Sequence, residues 1–200
     1  MNRLLLTSFA LLILLPQAAL AQAAPPARLS DEAIQRDHAG YESMQARLRA
    51  LNEKAGAGGR RLGDYHLAKA QCWLDASWHE YTRNDRGAFP QAALGESEKL
   101  VALMEQHAEP LPSETPLAGG AARLRADLWQ RVHGIKQGPG LGCAAQKTAC
   151  AEVALVHAGN EFSQQGWRHA KPYVHLAEDG IDAAEALARN CRPSTQTPRP

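Results

Sequence analysis

Apolar positions along this chain form one nearly unbroken run at the start and then a series of helical stripes. Leu4 to Leu15 is apolar except at Thr7 and Ser8. Arg3 precedes the run, and Pro16 followed by Ala19-Leu20-Ala21 gives a small-x-small exit. That order reads as a secretory signal peptide over residues 1–21, too short to cross a bilayer, with cleavage after Ala21. No cysteine stands at the junction, which argues against a lipoprotein signal. Residues 22–29, with Pro25-Pro26, read as a linker.

From Ser30 onwards the apolar period is that of a helix. Ser30 is placed to cap, Asp31 and Glu32 suit a first turn, and Ile34, His38, Tyr41, Met44, Leu48 and Leu51 recur every three or four residues. The glycines of Ala55–Gly59 should end this helix. A second helix is expected from about Asp64 to Tyr81, then a turn over Arg83–Gly87. The third carries Pro90 in its first turn, where the missing N–H does no harm. Pro110–Gly120 should be loop, with a fourth helix over Ala121–Ile135. A fifth is expected from near Cys143 or Thr148 to Gln164, and a sixth from Trp167 to about Asn190. Pro172 leaves the start of the sixth open. Residues 192–200 hold three prolines and read as a disordered tail.

The pattern predicts an all-α domain over residues 30–191, a bundle of about six helices. Two segments look alike, Ala70–Tyr81 and Ala151–Phe162, pairing Glu80-Tyr81 with Glu161-Phe162. Each is followed by a polar turn and an alanine-rich helix. Gly159, Phe162, Gly166, Trp167, Ala170 and Ala177 also have a tetratricopeptide-like spacing. Two copies fall short of a solenoid, so the expectation is a bundle containing two repeat-like antiparallel hairpins.

Composition supports helix, being rich in alanine, leucine, glutamate and arginine and poor in valine, isoleucine and phenylalanine. The chain has 22 basic and 21 acidic residues, and the signal holds only Arg3. A balanced mature chain gives no support for binding nucleic acid. No second apolar run is long enough to insert into a membrane.

Four cysteines, Cys72, Cys143, Cys150 and Cys191, in an exported chain point to disulfides. If the last two helices fold back at Gly166, residue 143 lies opposite roughly residue 189. That register favours Cys143–Cys191 and leaves Cys72–Cys150 to tie the hairpins together. Cys143–Cys150 stays possible only if that segment is not helical, because seven helical residues separate the Cα atoms by about 10 Å.

The eight histidines carry no recognised catalytic or zinc spacing. His79-Glu80 lacks a histidine four residues on. His157 and Glu161 could meet along one helix, as could His175 and Asp179. No nucleophile elbow, P-loop or dinucleotide fingerprint is present. The reading is therefore no catalytic residue, no metal ligand and no cofactor. Trp73, Trp78, Tyr81, Trp129 and Tyr173 fit a core. Trp167, Arg168, His169 and Lys171 could instead face a groove and contact an anionic glycan or peptide.

Two stretches resemble the helical N-terminal module of proteobacterial OmpA-family envelope proteins. One is Tyr65–Asp75 with Glu80–Arg86; the other is Cys150–Val153 with His157–Phe162 and Trp167–Tyr173. The resemblance spans residues 30 to 191. In that family an OmpA-like peptidoglycan-binding domain follows a proline-rich linker; here the sequence stops at Pro200, so those binding residues have no counterpart. The resemblance implies location and architecture rather than mechanism. The expectation is a non-catalytic interaction or scaffolding module of the periplasm, partnered by envelope proteins and associated with the outer membrane only through a partner. The alternative is a binding module for a small periplasmic ligand or glycan.

Overall fold

The computed structural model describes residues 30–54, 60–61 and 63–191. The signal peptide, the linker, the glycine break at 55–59 and the tail at 192–200 lie outside the described residues. Within them the chain forms six α-helices and no strand: α1 (Asp31–Glu53), α2 (Tyr65–Thr82), α3 (Phe89–Glu105), α4 (Ala126–Gln137), α5 (Leu141–Gln165) and α6 (Trp167–Arg189).

Local signals set most of the boundaries. The Ser30 side chain accepts from the Ala33 N–H at 3.2 Å, and Asp64 accepts from His66 and Leu67 at the start of α2. Pro90 lies in the first turn of α3. Pro172 sits inside α6 without moving its start from Trp167. The α4 boundary differs from expectation. Residues 121–125 are not helical, because the Ala122 N–H donates to the Gly159 carbonyl at 3.2 Å and Arg125 is left-handed (φ 50°).

α5 is the central helix. From Ala144 to Glu161 it is buried on nearly every side, which its alanines and Gly159 permit by allowing close approach. α6 lays Ala170, Val174, Ala177, Ile181 and Ala184 against it at steps of four and three. Gly166, with φ 76° and ψ −171°, makes the turn between them. Gly159 does not serve the packing of α5 on α6: a Cβ there would fall 2.0 Å from the Ala122 carbonyl oxygen.

Two disulfides lock this arrangement. Cys143–Cys191 closes the α5–α6 hairpin and Cys72–Cys150 joins α2 to α5, with Cα separations of 5.7 and 5.4 Å. This is the pairing that the hairpin register favours, and α5 is helical through both Cys143 and Cys150. α3 returns along α2 through the Ser97 hydroxyl, which donates to Ala70 carbonyl at 2.8 Å. α1 covers α2 with Tyr41, Met44, Leu48 and Leu51 buried, while Ile34 is half-buried and His38 exposed.

Candidate functional site

The last turn of α2, the last turns of α5 and the first turns of α6 converge on one polar centre. Their mutual position follows from the Cys72–Cys150 bridge. Glu80 lies eight residues beyond Cys72 and His157 seven beyond Cys150, so both sit about 11–12 Å further along helices running in the same direction. His157 Nε2 and Glu80 Oε1 are 2.6 Å apart, and both side chains are buried.

The remaining groups surround that pair. His79 Nε2 is 3.7 Å from Glu80 Oε1 and 2.8 Å from the Tyr173 hydroxyl. Arg83 Nη1 donates to Tyr173 at 2.7 Å, and stands 3.7 Å from Glu80 and 3.6 Å from Glu161. His169 Nδ1 is 3.8 Å from the other Glu161 oxygen. The His157 ring lies between Tyr173, at 3.9 Å centroid to centroid, and Phe89, at 5.5 Å. An open cleft of about 470 Å³, lined by Glu80, Arg83, Asn84, Asp85 and Gln164 among others, adjoins the centre.

The two carboxyls are driven apart electrostatically. Burial raises Glu80, but the His157 hydrogen bond and charge outweigh it, so this group lies below the ordinary glutamate value. Glu161 is pushed up to about 7, first by burial and then by the neighbouring Glu80. Two acids side by side in a dry setting do not ionise equally. Burial lowers His79, with the nearby His157 adding to the effect.

A second buried network lies on the other side of the Cys72–Cys150 bridge. Lys69 Nζ donates to Tyr65 and to the Ser113 and Glu114 carbonyls at 2.9–3.0 Å, and is 3.5 Å from Glu152. Tyr65 hydrogen-bonds Glu152, and Lys136 donates to it at 2.9 Å. Burial brings Lys69 down to about 8. This network pins the 113–114 loop to α2 and α5.

The polar centre has no local signature in the sequence. Trp167, Arg168 and Lys171 are exposed at the start of α6, whereas His169 is half-buried and turns towards Glu161. His157 and Glu161 do not bond to each other along α5; they meet α2. His79-Glu80 lacks a second histidine in sequence, and α5 supplies one in space. The favoured Cys72–Cys150 pairing held the missing signal, since counting equal distances along both helices places Glu80 beside His157.

The chain matches no protein-family model, no curated protein and no solved structure. The side chains of the centre come from two stretches far apart in sequence. His79, Glu80 and Arg83 stand at the end of α2, and His157, Glu161, His169 and Tyr173 on α5 and α6. The fold brings those stretches together at one end of the bundle.

Proposed function

We propose that this chain is a non-catalytic helical interaction module of the Gram-negative periplasm, exported by residues 1–21, whose partners are other envelope proteins. The α5–α6 turn carries the proposal. Phe162 and Trp167 stand on either side of Gly166 with 40 % and 48 % of their surfaces exposed, beside the exposed Arg168 and Lys171. Apolar rings next to cations are the composition of protein contact surfaces. No helix among the described residues is long and apolar enough to cross a membrane. Attachment to the envelope through a partner accords with that.

Site-specific photocrosslinking in exporting cells tests the proposal. Probes at positions 162, 167 and 171 should each give discrete adducts with an envelope protein, and a probe at the exposed Glu98 on α3 should not. Equal labelling at all four positions would overturn it. So would a saturable thermal shift with a soluble glycan or anionic peptide that depends on Trp167, which would establish the ligand-binding alternative.

A further inference from the structure

We propose that His79, Glu80 and His157 form a binding site for a first-row transition-metal dication, Zn²⁺ or Cu²⁺, with the buried Glu161 carboxylate nearby as a further negative charge. The site is independent of the contact surface at the α5–α6 turn.

The donor atoms are already gathered. One ligand atom from each of His79, Glu80 and His157 lies within 4.8 Å of the others. Two imidazole nitrogens with one carboxylate form a donor set that zinc and copper accept. A tetrahedral ion with bonds of about 2.0–2.1 Å holds its donors roughly 3.3 Å apart. The two separations from Glu80 Oε1, 2.6 Å to His157 and 3.7 Å to His79, straddle that value. Rotation of the Glu80 carboxylate evens them without moving a helix.

Glu161 is the second, independent observation. It is 1 % exposed, and neither carboxylate oxygen has a hydrogen-bond partner. Buried carboxylates are almost always hydrogen-bonded, so one held only by longer ion-pair contacts beside these ligands favours a cation there. The groups it now faces are Arg83 Nη1 at 3.6 Å and, at its other oxygen, His169 Nδ1 at 3.8 Å. The Arg83 side chain is 41 % exposed, so it can swing into water when a dication takes over that role. His79 is exposed too, leaving the adjoining cleft as the entry path and one coordination position open to solvent. Tyr173 would give up its contact with His79 Nε2.

The test uses the untagged, oxidised mature protein, stripped with a chelator and titrated with zinc chloride by calorimetry. Copper(II) electron paramagnetic resonance reads the nitrogen donors. One ion per chain is expected, with micromolar or tighter affinity and two nitrogens in the copper spectrum. His79→Ala alters an exposed side chain and Glu161→Gln keeps the shape; each should weaken zinc binding roughly tenfold or more. His175→Ala, on the exposed face of α6, should leave affinity unchanged. Absence of saturable one-to-one uptake would overturn the site, as would full affinity in both His79→Ala and Glu161→Gln, or an equal loss in His175→Ala.

Discussion

Glu80 on α2 and His157 on α5 meet at 2.6 Å, 77 residues apart in sequence and both buried. Removing the imidazole leaves the carboxylate in a dry setting with only the more distant His79 and Arg83. His157→Ala should therefore cost about 1–3 kcal/mol, the scale for leaving a buried polar group without its hydrogen-bond partner. Glu80→Gln, which keeps a hydrogen-bonding oxygen, should cost less. Urea unfolding of the oxidised protein reads both, and equal losses would assign the cost to packing instead of charge.

Lys69 gives stability a pH dependence with a definite sign. Its ammonium releases its proton at about 8 in the folded protein, against an ordinary value of 10.5. Between those two values the unfolded chain binds more protons than the folded one, so stability rises with pH. Measured as wild type minus Lys69→Met, the difference should climb by on the order of 2–3 kcal/mol from pH 8 to 10.5. A flat difference would place Lys69 at its ordinary value.

Gly159 and Gly166 should fail differently on substitution. At Gly159 an added methyl meets the Ala122 carbonyl oxygen, so Gly159→Ala must push the 121–125 segment off α5 and should cost about 2–3 kcal/mol. At Gly166 there is room, but φ 76° with ψ −171° is a region open essentially to glycine alone. Gly166→Ala should cost about 1–3 kcal/mol through backbone strain. Hydrogen exchange separates the two: Gly159→Ala should expose the Ala122 amide, and Gly166→Ala should not.

Both disulfides should contribute measurably, as their loops are long, with cysteines 78 and 48 residues apart. Replacing either pair by serine should lower stability by roughly 3–4 kcal/mol. Loss of Cys72–Cys150 should also disturb Glu80 and His157, since it sets the α2–α5 register. Loss of Cys143–Cys191 should fray only the far end of the α5–α6 hairpin. Histidine chemical shifts of the two double variants check this: His157 should move in the first and stay in the second.

The helices were legible along the chain, because capping side chains, glycine breaks and a three-to-four apolar step are local properties. Ser30, Asp64, Pro90 and Gly166 mark their boundaries without reference to any neighbour. The local pattern favoured one cysteine pairing, since a hairpin closing at Gly166 sets Cys143 opposite Cys191, but left Cys143–Cys150 open until α5 proved helical through both. Tertiary structure decided what no local rule carries. Residues 121–125 have a helical pattern, yet they stay non-helical because the bare backbone at Gly159 gives Ala122 a carbonyl to bond. His157 and Glu161 have the spacing to meet along one helix turn, but both face α2, where Glu80 and Arg83 supply partners from a distant part of the chain. A polar side chain in a helix offers the same letters whether it faces water or a buried charge. Only the packing of α2 on α5 settled which these were.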